Sequence, residues 1–172
     1  MSDRTGVAVV GVGYWGPAIV RNVAGLSEAH LTYLVDQQLP RAKSAAERMA
    51  PGTACTSDYD AVLADPAVHA VIIATPVRTH FQLAEAALKA GKHVLVEKPL
   101  SMTVPDCRQL EALAAERGLT LMVGHIFRFN PAVERVKEYI DSGELGDVLY
   151  VHSRRVNLGR VQADVNALWS FA

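Results

Sequence analysis

Short apolar runs alternate with segments that repeat apolar residues at helical spacing, and this alternation constrains the fold more than any other feature. Strands are predicted over residues 6–10, 31–35, 53–56, 70–74, 94–96 and 119–123. Helices are predicted between them, over residues 16–24, 40–50, 58–64, 79–90 and 103–117. Parallel strands need crossover connections, and right-handed crossovers place helices on both faces of a sheet. The order therefore predicts an α/β fold, a doubly wound parallel sheet with helices on both faces.

The last part of the chain follows a different pattern. Asn130 and Pro131 suit the N-cap and first position of a further helix, whose apolar face holds Val133, Val136, Tyr139 and Ile140. Residues 148–156 mix apolar and polar side chains on one face, unlike the buried strands before them. We therefore expect an α/β domain over residues 1–125, then a linker helix and the truncated start of a second, α+β domain over residues 126–172.

The composition excludes several classes of protein. The chain has 17 Lys+Arg and 18 Asp+Glu, a formal net charge of -1, so it has no basic surplus for nucleic acid or an acidic membrane. We find no leader sequence and no apolar stretch of about 20 residues that would span a membrane. Cys55 and Cys107 lie far apart and outside any metal-binding spacing. We expect a cytoplasmic protein without a disulfide framework or a metal site.

A glycine motif, GVGYWG over residues 11–16, follows the first predicted strand and opens the first predicted helix, and Asp36 ends the next strand. In the dinucleotide-binding form of this pattern, Gly11 permits the tight turn, Gly13 lets the backbone approach a pyrophosphate, and Gly16 lets helix and strand pack closely. The helix N-terminus offers N–H groups to the anion, and Asp36 accepts hydrogen bonds from the adenosine ribose. The alternative is an ordinary glycine turn beside an acidic residue at a strand end.

Asp36 also bears on the choice of cofactor. A carboxylate at this position repels the 2′-phosphate of NADP, and Arg41 is the nearest cation in the sequence that could offset the repulsion. The sequence therefore favours NAD over NADP.

Thr75 and Pro76 follow the fourth predicted strand, at the edge of the sheet where parallel α/β folds bind their ligands. Thr75 is placed to contact the cofactor, and Pro76 would stiffen the loop. The alternative is a strand that simply ends at a proline. His80 lies in the first turn of the following helix, where a polar residue needs no ligand to explain it.

Glu97, Lys98 and Pro99 follow the fifth predicted strand. A lysine there faces the same crevice as the cofactor, and burial beside a positively charged nicotinamide would lower its pKa toward a range useful for acid–base chemistry. Lys98 could then bond the hydroxyl being oxidised and shuttle its proton. Glu97 could orient Lys98, and Pro99 would fix the turn, with a cis peptide bond as one option. The alternative is a solvated Glu–Lys pair at a strand end.

A fourth motif, GHIFRFNP over residues 124–131, follows the sixth predicted strand. His125 and Arg128 are candidates to bind sugar hydroxyls, a carboxylate or a phosphate, since arginine presents a planar fork of donors. Equally, Arg128 could form a structural ion pair and His125 could be a hydrogen-bonded core residue. The residues alone do not decide between these interpretations.

These motifs, in this order, resemble the glucose-fructose oxidoreductase, inositol dehydrogenase and rhizopine catabolism (Gfo/Idh/MocA) family, from about Val7 to Trp169. The resemblance implies a two-domain NAD(P)-dependent oxidoreductase that acts on sugars or cyclitols, with a Rossmann dinucleotide-binding domain. It implies that Lys98 is the catalytic lysine and contacts the substrate. The implied cofactor-binding residues are Gly11, Gly13, Tyr14, Trp15, Gly16, Asp36, Thr75, Pro76, His80 and Glu97.

Residues 156–160 and 164–169 look like the branch of this family that oxidises the 3-hydroxyl of nucleotide-linked N-acetylated amino sugars or their uronates, as a UDP-N-acetylglucosamine 3-dehydrogenase does. This resemblance places Asn157 among the substrate-binding residues. Ser170 departs from the family pattern, because it stands where a second catalytic group is commonly acidic, and the family's histidine position falls beyond Ala172. The resemblance implies that the chain binds NAD, while turnover needs the rest of the substrate domain. Family members commonly also use that domain to form homo-oligomers.

Two other functions compete with this interpretation. One is a non-catalytic dinucleotide-binding sensor or regulatory module, which has no need of a lysine at the hydride site. The other is a methyltransferase that binds S-adenosylmethionine, for which a pyrophosphate-type glycine motif is not expected. The turn at Glu97, Lys98 and Pro99 argues against both.

Overall fold

The computed structural model describes residues 4–154 of the chain. The chain divides into two compact units between Val123 and Gly124. The first unit holds six strands and five α-helices, and the described part of the second holds one α-helix. The predicted domain boundary after residue 125 lies close to this division, and the assignment of separate functions to the two parts stays a prediction.

The first unit is built on one parallel sheet with the strand order β3-β2-β1-β4-β5-β6. Its strands are β1 (Thr5–Val10), β2 (Ala29–Val35), β3 (Ala54–Thr56), β4 (Ala70–Ile73), β5 (His93–Val96) and β6 (Leu121–Val123). From β1 the chain builds outward through β2 and β3, then returns to the other side of β1 to add β4, β5 and β6. The predicted doubly wound sheet is confirmed. Its topological switch point, where such folds bind ligands, lies between β1 and β4.

Helices connect successive strands of this sheet. They are α1 (Gly16–Ala24), α2 (Leu39–Met49), α3 (Tyr59–Ala64), α4 (His80–Lys89) and α5 (Val104–Glu116). The carboxylate of Asp58 caps α3 by accepting from the Ala61 N–H, and the Thr103 hydroxyl caps α5 by accepting from the Asp106 N–H. A 3₁₀ turn, Val77–Thr79, precedes α4. The predicted bounds of the strands and helices differ from these by at most two residues.

Strand β1 shows why both faces of the sheet are covered. Successive side chains of a strand point to opposite faces. Ala8 and Val10 pack in one buried cluster, while Val7 and Val9 pack in the other. The largest fully buried aliphatic side chains include Leu34, Ile73, Leu88 and Leu110. Burying each contributes roughly 1.5–3 kcal/mol, so the two clusters fix the strands and the loops that follow them.

The described part of the second unit is residues 124–154. A 3₁₀ turn, Ile126–Phe129, leads into α6 (Pro131–Asp141). The side chain of Asn130 accepts a hydrogen bond from the Ala132 N–H, which confirms the predicted cap. The apolar side chains predicted for one face of α6 are exposed, Val136 by 56% and Tyr139 by 37%.

The strand predicted over residues 148–156 is wrong in its described part. Residues 148–154 form no strand and are exposed, and residues 155 and 156 lie outside the described part of the chain. A single strand leaves its backbone N–H and C=O groups without partners, so water satisfies them instead. In the described residues, no helix is both long and apolar enough to span a bilayer.

Candidate functional site

The candidate site lies at the edge of the sheet where β1, β4 and β5 end. The glycine motif follows β1, Thr75 and Pro76 follow β4, and Lys98 follows β5. Because the three strands are parallel neighbours, their following loops meet at one edge. The motifs singled out in the sequence are thus brought together by the topology of the first unit.

Gly11 sets the contact between the first two of these loops. Its φ is +90°, a conformation that side chains disfavour. A Cβ at this position would lie 2.7 Å from the carbonyl oxygen of Ala74 and 2.8 Å from Cγ2 of Thr75. Gly16 is as restricted, because a Cβ there would overlap the carbonyl oxygen of Gly11. Only glycine lets the β1 loop approach both the β4 loop and α1 this closely.

Gly13 differs from these two glycines, because nothing lies within 4 Å of where its Cβ would be and its φ is not positive. Neither steric contact nor backbone conformation therefore requires glycine here. The open space fits a ligand group that must approach the backbone closely. It lies next to the start of α1, where Pro17 has no N–H and the Ala18 and Ile19 N–H groups donate to the Trp15 carbonyl. The close approach of a pyrophosphate to Gly13 stays a prediction.

Tyr14 and Trp15 follow Gly13 in the loop and carry exposed aromatic rings, 75% and 53% exposed respectively. The rings meet edge to face, with centroids 5.3 Å apart and an interplanar angle of 86°. Large exposed aromatic side chains on a tight loop offer apolar surface to a ligand. Their cofactor-binding role stays a prediction.

Asp36 lies directly after β2 and is only 8% exposed. Its Oδ2 accepts from the Val12 N–H at 2.9 Å, and its Oδ1 accepts from the Gln38 N–H at 2.8 Å. A carboxylate offers about four lone-pair positions, so capacity remains for ribose hydroxyls. Arg41 Nη1 lies 3.7 Å from Oδ2 of Asp36, and the Arg41 side chain is 47% exposed. The carboxylate therefore organises the glycine loop, and its predicted contact with a ribose stays a prediction.

His80 connects the β4 loop to the β5 loop. Its ring is 1% exposed, with Nε2 2.9 Å from the Thr75 carbonyl oxygen and Nδ1 2.8 Å from the Pro99 carbonyl oxygen. The hydroxyls of Thr75 and Thr79 are also 2.8 Å apart. Both ring nitrogens of His80 thus face the chain's own backbone. This geometry does not support the predicted direct contact of His80 with a cofactor.

Glu97 and Lys98 are half-buried at the end of β5. The Glu97 N–H donates to the Ile73 carbonyl at 2.9 Å, which extends the pairing of β5 with β4. The peptide bond between Lys98 and Pro99 is cis, the option named for this turn from the sequence. Lys98 lies two strands away from Gly11, about 10 Å at the usual spacing of parallel strands.

Of the residues predicted to bind substrate, Lys98 lies in the first unit, at the end of β5. His125 and Arg128 belong to the second unit and are exposed there, and Asn157 lies outside the described residues. Their roles stay predictions. Burial raises the pKa of the Cys55 and Cys107 thiols, so neither is an activated nucleophile. In the described part of the chain, no group of three or more His, Cys, Asp or Glu side chains is placed to hold a metal ion.

The bridging position of His80 was missed from the sequence, although a signal for its burial was present. Ala84, Ala87 and Leu88 are the buried residues of α4. His80 precedes them by four, seven and eight positions, the spacing of one helix face. Placing His80 in that apolar stripe would have predicted a buried ring with internal partners.

Comparison with known proteins agrees with the fold. The family model described as "Oxidoreductase family, NAD-binding Rossmann fold" matches residues 5–125. The first unit is therefore an NAD-binding Rossmann domain of the oxidoreductase class. The chain belongs to the Gfo/Idh/MocA oxidoreductase family.

Named relatives include enzymes of sugars and cyclitols. Inositol 2-dehydrogenase 1 of Saccharopolyspora erythraea is 34% identical over 85% of this chain and 44% of its own length. The structure of GenD2 from gentamicin A biosynthesis in complex with NAD is 37% identical, with a TM-score of 0.79 over 84% of this chain and 41% of that one. The structure of KijD10, a 3-ketoreductase from Actinomadura kijaniata with NADP and TDP-benzene, is 31% identical, with a TM-score of 0.75 over 81% of this chain and 43% of that one. The chain thus spans less than half the length of these relatives.

Proposed function

We propose that this chain binds NAD across the carboxyl edge of its sheet, and that the whole protein passes a hydride between a sugar or cyclitol hydroxyl and that cofactor. The observation that carries the proposal is the direct contact between the β1 and β4 loops beside the open space at Gly13. Asp36 stands on the β2 side of that space, so the adenosine half belongs there. The nicotinamide half would then extend over β4 and β5, toward Lys98.

Lys98 is proposed as the catalytic residue. When bound, nicotinamide supplies the site that accepts or donates a hydride. As a neutral amine, Lys98 would accept the hydroxyl proton during oxidation, and the ammonium group so formed would donate a hydrogen bond to the carbonyl oxygen of the product. Glu97, next to it and half-buried, would orient the Lys98 side chain.

A preference for NAD over NADP is supported by the surroundings of Asp36. At about 4 Å and an effective dielectric constant of about 20, each unit charge of a 2′-phosphate is repelled by a carboxylate with about 4 kcal/mol. Arg41 lies beside Asp36 and is half-exposed, so it offsets part of this repulsion. The expected preference for NAD over NADP is therefore smaller than the Asp36 carboxylate alone would produce.

The substrate class is proposed from the relatives, which include an inositol dehydrogenase and a 3-ketoreductase solved with a TDP derivative. We propose a sugar or cyclitol, including the 3-hydroxyl of a nucleotide-linked amino sugar, with His125, Arg128 and Asn157 as substrate-binding residues. We also propose a homo-oligomeric whole protein. A reducing cytoplasmic location is supported by the free thiols of Cys55 and Cys107.

Binding to the 172-residue chain tests the cofactor proposal. Titration calorimetry should give tighter binding for NADH than for NADPH, and no binding of S-adenosylmethionine at the same concentrations. Binding of S-adenosylmethionine in place of NADH would support the methyltransferase alternative. Equal affinities for NADH and NADPH would contradict repulsion of the 2′-phosphate by the Asp36 carboxylate.

Turnover in the whole protein tests the role of Lys98. The Lys98→Ala variant should lose most turnover with little change in NADH affinity, because the side chain acts on the substrate proton and not on the adenosine or pyrophosphate groups. Lys92→Met, at the opposite end of β5, is the matched control and should turn over normally. Unchanged turnover in Lys98→Ala would contradict the catalytic role and favour a non-catalytic dinucleotide-binding module.

A further inference from the structure

The ring of His80 lies between the two loops that would hold the nicotinamide half of the cofactor. It is 1% exposed, and its two nitrogens face the carbonyl oxygens of Thr75 and Pro99 at 2.9 and 2.8 Å. Thr75 follows β4, and Pro99 is the residue directly after Lys98. One buried side chain therefore spans the gap between adjacent strand ends at the candidate site.

The chemistry of these contacts restricts what can replace histidine. A carbonyl oxygen only accepts hydrogen bonds. A doubly protonated imidazole donates to both carbonyls, and a neutral imidazole donates to one of them. Few other side chains present donors at two separated positions of a rigid, flat ring. A phenylalanine fills the same space but leaves both half-buried carbonyls without this partner, which costs free energy.

We propose that His80 is a positioning residue for cofactor binding and hydride transfer. Through the Pro99 carbonyl it fixes the backbone that carries Lys98, and through the Thr75 carbonyl it fixes the loop that contacts Gly11. The two loops are thereby held at one separation, into which the nicotinamide half fits. This inference rests on the proposed function, because it assumes that the nicotinamide lies over β4 and β5.

Lys92 provides a matched comparison at the opposite edge of the sheet. It is 8% exposed, and its Nζ donates to the carbonyl oxygens of Asp65 and Val68 at 2.9 and 2.8 Å. It therefore also joins two buried or half-buried carbonyls, but before β4 and β5 rather than after them. Losing Lys92 removes the same kind of contact without touching the candidate site.

The experiment compares two ligands on the 172-residue chain. NADH contains the nicotinamide, and ADP-ribose carries the same adenosine and pyrophosphate groups without it. The ratio of their affinities, from titration calorimetry, reports the contribution of the nicotinamide half. Native protein, His80→Phe, His80→Gln and Lys92→Met are measured, with thermal unfolding recorded for each.

His80→Phe should lower the NADH to ADP-ribose affinity ratio about fivefold, the loss expected from one net hydrogen bond, with ADP-ribose affinity unchanged. His80→Gln keeps an amide donor, so its NADH to ADP-ribose affinity ratio should fall less than that of His80→Phe. Lys92→Met should unfold at a lower temperature but keep the native ratio. A general structural role would instead lower both affinities together, and that result would overturn the proposal.

An unchanged ratio in the His80 variants would also overturn it. If His80→Phe does not fold, His80→Gln carries the test, and a native ratio in that variant contradicts the proposal. A native protein that binds NADH no more tightly than ADP-ribose would instead contradict the proposed function, because the nicotinamide would then have no site over β4 and β5. The two failures are therefore distinguishable.

Discussion

Replacing Asp36 with alanine should affect the stability of the fold before it affects the choice of cofactor. The carboxylate accepts from the buried N–H of Val12 and the half-buried N–H of Gln38. A hydrogen bond to a charged group contributes about 1.5–3 kcal/mol, and the Gln38 N–H can turn to water while that of Val12 cannot. The expected loss is about 2–4 kcal/mol, a large fraction of the roughly 5–15 kcal/mol that stabilises a domain.

Asp36→Asn separates the two effects, because it keeps one acceptor oxygen for the glycine loop and removes the negative charge. We expect this variant to lose less stability than Asp36→Ala and to narrow the affinity gap between NADH and NADPH. Removing the carboxylate leaves Arg41 without its neighbour at 3.7 Å, so the guanidinium can pair with a 2′-phosphate. Arg41→Gln, in the Asp36→Asn background, should reverse the gain for NADPH.

Urea unfolding gives the stability of each variant, and titration calorimetry with NADH and NADPH gives the affinities. Measuring the affinities at two salt concentrations checks the electrostatic contribution to the difference between NADH and NADPH, which should weaken as the salt concentration rises. Native stability in Asp36→Ala, or an unchanged ratio of NADH to NADPH affinity in Asp36→Asn, would contradict these two roles of the carboxylate.

Two further changes test the local packing and the electrostatics of the first unit. Gly16→Ala should destabilise the protein by roughly 1–3 kcal/mol, because the new Cβ overlaps the Gly11 carbonyl oxygen. This loss outweighs the gain of about 1 kcal/mol in helix propensity from alanine. A higher stability of the variant in urea unfolding would contradict the predicted overlap. The carboxylate of Asp65 accepts from the Ala67 N–H and the Tyr33 hydroxyl, which hold its pKa below the usual value. The stabilisation of the folded state by the Asp65 carboxylate is thus present above the unfolded pKa of about 3.9 and is lost as the pH falls further. Asp65→Asn should therefore flatten the acid side of a stability–pH curve measured by urea unfolding.

The sequence predicted the sheet and the edge that carries the site because both depend on local patterns. Apolar runs set the strands, and helical spacing set the crossovers between them. Once parallel strands alternate with helices, the loops that follow the strands must meet at one edge, whatever the details of packing. The glycine motif, Thr75 and Lys98 were therefore placed correctly relative to the strands before any side-chain contact was known.

Contacts between distant residues could not be read in the same way. The two carbonyl partners of His80 lie on separate loops, and the Val12 N–H that Asp36 accepts from is 24 positions away in the sequence. Such pairings depend on how the loops pack. The predicted strand over residues 148–156 failed for a related reason, since a pattern of side chains forms a strand only where a partner strand is available.

The Gly13→Ala variant tests most directly whether the glycine loop receives the pyrophosphate of NAD. Nothing lies within 4 Å of a Cβ at Gly13, so Gly13→Ala should unfold at the native temperature. Gly25→Ala, at the other end of α1, adds the same methyl group with ordinary contacts at 3.5 Å and serves as the control. In calorimetric titrations with NADH, Gly13→Ala should bind about tenfold more weakly or worse, because the methyl group displaces a charged, hydrogen-bonded group, and Gly25→Ala should bind as the native chain does. Native affinity for NADH in Gly13→Ala would contradict pyrophosphate binding at the glycine loop.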